Sequence, residues 1–225
     1  MYIATIRQGH CSEGPWKNTT LWVAGCSIRC QGCFNPELWE RKSGRRVYLR
    51  KLIKAVRQGR TSGDQGVAVV GGEPFDQPLA LGLFLLAVRA LFPHHLITVY
   101  SGYTLENLRR HPKKWLALWM TDYLVDGPFM PRQAEDNLGY RGSRNQRVID
   151  LKRTRNNLGR KIVEADWDHL IVLGKDQLSG PPHLLQKLLP THSADCGFVE
   201  KGSQPEMELP ANRIYNSAEK EKMPF

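Results

Sequence analysis

The sequence predicts an α/β protein whose parallel sheet is wrapped by helices and curls into an incomplete, open (β/α) barrel. Short apolar runs that stop at glycine alternate with segments of helical periodicity, the pattern of parallel strands joined by crossover helices. Polar or glycine-rich loops follow several of these runs directly, where functional loops gather in parallel sheets. Residues 20–173 hold about six strand candidates, fewer than a closed barrel requires.

The elements follow in order. Residues 20–24 (Thr-Leu-Trp-Val-Ala) read as a buried strand ending at Gly25, and residues 25–36 form a loop with three cysteines and two glycines. Residues 49–58 place Leu49, Leu52, Ile53 and Val56 on one helical face. Residues 66–70 form an apolar strand stopped by Gly71-Gly72. A helix is expected over 78–91, a strand over 96–100, and one or two helices over 104–119, split near Pro112. A strand over 123–126 ends at Gly127-Pro128, and 148–151 and 169–173 are further strand candidates. A late helix is expected over 182–189 and a mobile polar tail over 200–225. This gives a main domain over 1–190 and a C-terminal extension over 191–225. The cysteine loop, Gly71-Gly72-Glu73-Pro74, Ser101-Gly102-Tyr103 and Asp126-Gly127-Pro128 are thereby expected on one rim.

Composition narrows the class. The 225 residues are 41% hydrophobic and 24% charged, as in an ordinary globular protein. The longest apolar stretch, 78–92, is too short for a membrane span and contains Arg89. The N-terminus lacks a signal-peptide pattern, so a cytoplasmic location is expected. The formal net charge is +10, and residues 132–161 carry nine basic against three acidic side chains. Such a segment is either a solvated face or a surface for an acidic protein or a nucleic acid. No nucleic-acid motif accompanies it, so no direct nucleic-acid contact is expected.

Five cysteines are present, Cys11, Cys26, Cys30, Cys33 and Cys196, three of them within eight residues. That is a poor disulfide framework and a good soft-metal site in a reducing compartment. Cys26, Cys30 and Cys33 can supply three thiolates to a [4Fe–4S] cubane, leaving the fourth iron open to a cosubstrate. A structural zinc site using Cys11 or His10 is the alternative, but it lacks the usual second pair of ligands. A fully ligated electron-transfer cluster would need a fourth nearby cysteine. Cys11 lies 15 positions upstream of Cys26, and Cys196 is far downstream.

Cys26-Ser-Ile-Arg-Cys30-Gln-Gly-Cys33 matches the CxxxCxxC signature of radical S-adenosylmethionine enzymes. More narrowly, the chain resembles the activating proteins of anaerobic (class III) ribonucleotide reductase. The resemblance rests on Glu13-Gly-Pro, Leu21-Trp-Val-Ala-Gly-Cys, Gly32-Cys-Phe-Asn-Pro-Glu-Leu-Trp39, Gly71-Gly-Glu-Pro74, Ser101-Gly-Tyr-Thr104, Leu124-Val-Asp-Gly-Pro-Phe129 and Arg141-Gly-Ser-Arg-Asn-Gln146, in family order over about residues 10–150.

The resemblance implies a barrel of the radical S-adenosylmethionine type and an oxidoreductase that activates a glycyl-radical enzyme. A reduced [4Fe–4S] cluster on Cys26, Cys30 and Cys33 would cleave S-adenosylmethionine to a 5′-deoxyadenosyl radical. That radical takes hydrogen from a glycine of the partner, most plausibly the reductase. By the same resemblance, Gly32, Cys33 and Phe34 lie beside the adenosyl part. Gly71, Gly72 and Glu73 receive the methionyl amino group, Glu73 by accepting from its ammonium. Ser101 and Asp126 are further candidate contacts, with a helix cap and a turn former as their structural alternatives. No catalytic side chain is expected beyond the cluster ligands. The electron donor implied is reduced flavodoxin or ferredoxin. A radical enzyme acting on another peptide, or a non-catalytic iron–sulfur or zinc module, are the competing readings.

The chain departs from the pattern in three places. Gly32 stands where much of the superfamily has an aromatic residue, Trp16-Lys17-Asn18 stands where an arginine is expected, and the chain runs some 70 residues beyond the small activases.

Overall fold

A computed structural model describes residues 1–135, 138–157, 161–165 and 167. The expected strands are present as β2 (Asn18–Val23), β4 (Gly66–Gly71), β5 (Leu96–Ser101), β6 (Tyr123–Asp126) and β7 (Arg147–Asp150). Two further strands, β1 (Tyr2–His10) and β3 (Arg45–Arg46), join them in one seven-stranded sheet ordered β3-β1-β2-β4-β5-β6-β7. The strand expected at 169–173, the helix at 182–189 and the extension over 191–225 lie outside the described residues.

The sheet is mixed and open, which corrects the expectation of an all-parallel arrangement. β2, β4, β5 and β6 run parallel, whereas β1 pairs antiparallel with β2 and β3, and β7 antiparallel with β6. The connection over 11–17 is too short for a crossover, so β1 and β2 must meet antiparallel. β1 escaped notice because its exposed positions include Thr5, Arg7, Gln8 and Gly9, and only Ile3 is buried. A strand with one apolar anchor carries no alternating pattern.

Helices α1 (Leu49–Thr61), α2 (Pro78–Leu91), α3 (Leu105–Arg109), α4 (Trp115–Met120) and α5 (Leu151–Asn156) follow the strands. Pro78 sits in the first turn of α2, where a missing N–H costs nothing. Thr104 caps α3 by accepting from Asn107 N at 3.3 Å. Pro112 opens a separate 3₁₀ turn, so the expected break between α3 and α4 is present.

The period of two along the strands makes two unlike faces. Leu21, Val23, Val67, Val69, Ile97, Val99, Leu124 and Ile149 share one core with Leu52, Val56, Leu81, Phe84, Leu85 and Val88 of the helices. Burial of each such side chain contributes roughly 1.5–3 kcal/mol before the entropy of ordering is subtracted. On the other face lies a smaller cluster of Trp16, Val125, Val148 and Trp167, with Tyr123 and Tyr140 against it. Trp16 stacks on Tyr123 at 5.2 Å and meets Trp167 edge-on at 5.5 Å. A Cβ at Gly66 would lie 2.6 Å from Trp16 Nε1, so this cluster caps the starting ends of β4 and β6. The carboxyl ends of the parallel strands are left for the cysteine loop.

Candidate metal centre

The cysteine loop leaves β2 through Gly25, whose φ of +100° is open only to glycine at low cost. A side chain there would also strike Arg41 Cγ at 2.7 Å. Gly25 N donates to Leu38 O at 2.8 Å and Cys26 N to Trp39 O at 2.9 Å, so the far end of the loop returns alongside its start. Across the loop, Arg29 pairs with Glu40 at 2.6 Å.

The loop is laid over the other three strand-end loops. Ser27 donates to Asp76 through its N (2.7 Å) and its Oγ (3.0 Å), and Tyr103 Oη lies 2.9 Å from Ser27 Oγ. A Cβ at Gly102 would lie 2.6 Å from Ile28 Cδ1, one at Gly32 would lie 2.8 Å from Pro131 Cγ, and one at Gly142 would lie 2.9 Å from Phe34 Cε2. Phe34 is 71% exposed, and its ring stands 4.7 Å from that of Phe129. The common rim expected from the sequence is therefore formed.

Cys26, Cys30 and Cys33 are free thiols, each partly exposed on this loop. Burial pushes the Cys26 thiol up, against hydrogen bonds from the Arg29 and Ile28 backbone. Burial does the same to Cys30, against the Phe129 backbone and with Cys33 close by. Three soft donors, unoxidised and partly exposed, suit a thiophilic metal group, which binds cysteine as thiolate. Among the described residues, no three His, Cys, Asp or Glu side chains converge on one point as a single ion would need. A cubane takes its thiolates at separate corners. A cavity of about 440 Å³ opens beside Cys26, lined by Gly25, Ser27, Trp39, Glu40, Arg41 and Asp76.

The Gly71-Gly72-Glu73 turn is zipped to the start of the same loop. Gly72 N donates to Val23 O at 2.8 Å and Glu73 N to Gly25 O at 2.9 Å. A Cβ at Gly71 would lie 2.7 Å from Val23 O, and one at Gly72 would lie 2.4 Å from Gly25 O. Both glycines keep partial solvent exposure, whereas Glu73 is fully buried. Its Oε1 accepts from Phe75 N (2.9 Å) and Ser101 Oγ (3.0 Å), and its Oε2 from Gly102 N (2.8 Å). Ser101 Oγ in turn accepts from Tyr103 N at 3.1 Å. Burial drives the Glu73 carboxyl up to about 7 despite these donors.

Asp126 is 1% exposed and has partners of its own. It accepts from Leu105 N at 2.7 Å, from Arg147 Nε at 2.9 Å and from Arg147 Nη2 at 2.5 Å. Arg147 also holds Glu106, whose carboxyl its hydrogen bonds pull down to about 2. The Arg141 to Gln146 segment closes the rim from beneath. Asn145 donates to Pro128 O at 2.7 Å, Gln146 donates to Gly127 O at 2.9 Å, and Gln146 Oε1 accepts from Gly142 N at 2.8 Å. Three side chains escaped the sequence reading: Asp76, Tyr103 and Arg147. Asp76 precedes a helix start and reads as an ordinary turn residue, and nothing in a single sequence pairs Arg147 with Asp126. The basic segment over 132–161 is partly engaged, with Arg144 on Glu135 and Arg155 on Thr121 O at 3.2 Å.

A family model described as a 4Fe-4S single cluster domain matches residues 12–149. An anaerobic ribonucleoside-triphosphate reductase-activating protein of Vibrio cholerae is 34% identical over 140 residues, 60% of this chain and 88% of the relative. Its counterpart in Haemophilus influenzae is 33% identical over 146 residues, 62% of this chain and 92% of the relative. The enterobacteria phage T4 protein of that name is 28% identical over 138 residues, 60% of this chain and 85% of the relative. By the 4Fe-4S domain model matched over residues 12–149 and by these relatives, the chain belongs to the family of anaerobic ribonucleoside-triphosphate reductase-activating proteins.

Proposed function

We propose that the chain activates an anaerobic ribonucleotide reductase by generating a glycyl radical on it, as an oxidoreductase using S-adenosylmethionine. The observation that carries this reading is the placement of three free thiols, in CxxxCxxC spacing, over a rim of strand-end loops beside side-chain-free Gly71 and Gly72. Cys26, Cys30 and Cys33 would hold a [4Fe–4S] cluster, which when bound supplies the electron that cleaves the cosubstrate and so starts the radical chemistry.

The chain's own residues bind, orient and exclude water. Gly71 and Gly72 offer bare backbone to a methionyl group, and Gly32 and Phe34 flank the adenosyl side. Glu73 and Ser101 act from beneath, holding the ends of β4 and β5 at a fixed separation. Asp126 and Arg147 do the same for β6 and β7. Should the cosubstrate ammonium come within reach of Glu73, the carboxyl would ionise in response, since a nearby cation lowers a carboxyl pKa. The open sheet, read as part of an incomplete barrel, leaves the face opposite α1 and α2 to the large substrate. A reduced flavodoxin or ferredoxin fits as electron donor. No helix among the described residues is long and apolar enough to cross a membrane.

Anaerobic reconstitution with iron and sulfide, followed by reduction and addition of S-adenosylmethionine and the reductase, tests the reading. The expected result is 5′-deoxyadenosine together with a glycyl radical signal on the reductase, both lost in Cys30→Ala. Cleavage that survives Cys30→Ala would refute the cluster assignment. Cleavage without a glycyl signal would refute the reductase as the recipient.

A further inference from the structure

From Arg41 to Gly63 the chain carries nine lysines and arginines and no acidic residue. The structure folds this run into a short 3₁₀ turn, the edge strand β3 and helix α1, and exposes all nine. Among the described residues none of the nine is ion-paired, in contrast to Arg144 and Arg147 of the other basic segment.

The pattern is costly to the element that bears it. Arg50 and Lys51 stand in the first turn of α1, which has no acidic residue, so both oppose the positive end of the helix dipole. Arg50 and Lys54 are four apart, a like-charge spacing that weakens a helix. The face opposite Leu52, Val56 and Gly59 is thus cationic with no ion pair among the described residues, although Arg60 lies over the Phe92 ring at 5.9 Å. Charges on an exposed strand edge do discourage unwanted pairing, which accounts for Arg45 and Arg46 but not for the helix.

The position of the stripe supplies the rest. Arg41 begins it and also lines the cavity beside Cys26, packed where a Gly25 side chain would be. The backbone just before it, at Trp39 O, accepts from Cys26 N. The cationic edge therefore runs outward from the first cluster ligand. A protein that delivers an electron must dock close to the metal centre, because tunnelling falls steeply with distance.

We infer that the 41–60 edge is the docking surface for an acidic one-electron carrier protein, a flavodoxin or ferredoxin type, which hands its electron to the centre through the Cys26 side. This rests on the function proposed above. One electron leaves the reduced carrier, which is oxidised by one electron, and enters the cluster held by the three cysteines; no proton or group is transferred. Docking at this edge leaves the face of the sheet opposite α1 and α2 to the glycine-bearing protein. A nucleic acid would be drawn to the same charge, but neither a recognition motif nor the adjacency to Cys26 is explained by one.

The test uses the full-length, anaerobically reconstituted protein and a purified acidic flavodoxin, comparing wild type with R45E/R46E/R50E/K54E. Arg41 is left in place because it packs on the loop. The variant should bind oxidised flavodoxin at least about tenfold more weakly at low ionic strength, and the salt dependence of binding should largely vanish. Photoreduced flavodoxin should reduce its cluster at least about tenfold more slowly, while reduction by dithionite is unchanged. K152E/R153E on α5, which is also exposed, should behave as wild type in every arm. Equal flavodoxin affinity and equal reduction rate in wild type and R45E/R46E/R50E/K54E would overturn the inference. So would tighter binding of a short DNA duplex than of flavodoxin, lost in the same variant. If dithionite-reduced wild type fails to cleave S-adenosylmethionine, the proposed function fails instead, and the flavodoxin binding arm still decides the docking surface.

Discussion

Glu73 makes a pH-dependent contribution whose sign can be worked from the structure. Its carboxyl is pushed from 4.5 to about 7, first by burial and further by the nearby Asp76, against donors from Phe75 N, Gly102 N and Ser101. The folded state thus holds a proton over a window where the unfolded chain has released it. The contribution is fully present below about pH 4.5 and is lost as pH rises through about 7. At about 1.4 kcal/mol per pH unit, that window corresponds to about 3 kcal/mol. Other groups titrate too, so the isolating comparison is wild type against Glu73→Gln, which keeps the shape and cannot ionise. Gln faces one N–H donor with its own NH₂, at a cost of roughly 1–3 kcal/mol that does not vary with pH. Urea unfolding of the metal-free, reduced protein from pH 4.5 to 8 gives both stabilities. Wild type should lose about 3 kcal/mol relative to the variant across that range. A difference that stays flat, or that moves in favour of wild type as pH rises, would refute the reasoning.

Three further outcomes follow from the same rim. Arg147→Ala leaves the buried Asp126 carboxylate without its cation and should cost about 3–5 kcal/mol in urea unfolding, much more than an exposed arginine would. Gly72→Ala places a Cβ 2.4 Å from Gly25 O, so iron loading after reconstitution should fall well below wild type, read by iron and sulfide analysis. In the metal-free protein, Cys26 and Cys30 sit above the ordinary thiol pKa, so their alkylation at pH 8 should lag behind a free cysteine and accelerate as pH rises, measured by mass spectrometry of each peptide.

The parallel heart of the fold was legible because β4, β5 and β6 are short apolar runs between turn signals, flanked by helices that start at Pro78 or Thr104. The edges were not. β1 buries a single apolar side chain, and β3 is two arginines that join the sheet only through the tertiary register of Tyr2 with Arg46. The direction of β7 was equally hidden, since Arg147–Asp150 looks the same parallel or antiparallel; only the bond network from Asn145 and Gln146 to the 127–128 turn reveals how the chain doubles back. Charge was legible only as a sum. The 132–161 excess is conspicuous in the sequence but partly spent on Glu135, Asp126 and Glu106, whereas the cations of the 41–60 run form no ion pair among the described residues.

For the site, the cysteine spacing and the strand-end loops were legible and the hydrogen-bond partners of the polar side chains were not. Polar side chains at strand ends invite assignment as ligands, and Glu73, Ser101 and Asp126 are all at strand ends. Yet Glu73 is fully buried with three donors upon it, and Asp126 is closed off by Leu105 N and the Arg147 fork. Their hydrogen bonds run sideways between strands. What faces outward from the same turn is Gly71 and Gly72, which the packing against Val23 O and Gly25 O forbids from carrying a side chain. On the function proposed above, such a site would meet its cosubstrate chiefly with main chain, and its buried carboxyls would fix where that main chain stands. Conservative replacement of Glu73 or Asp126 should therefore act on the affinity for cosubstrate through displaced loops, with the thiols still able to take up iron. Replacement of either glycine should disturb both, because the backbone contact that excludes a side chain there also anchors the start of the cysteine loop.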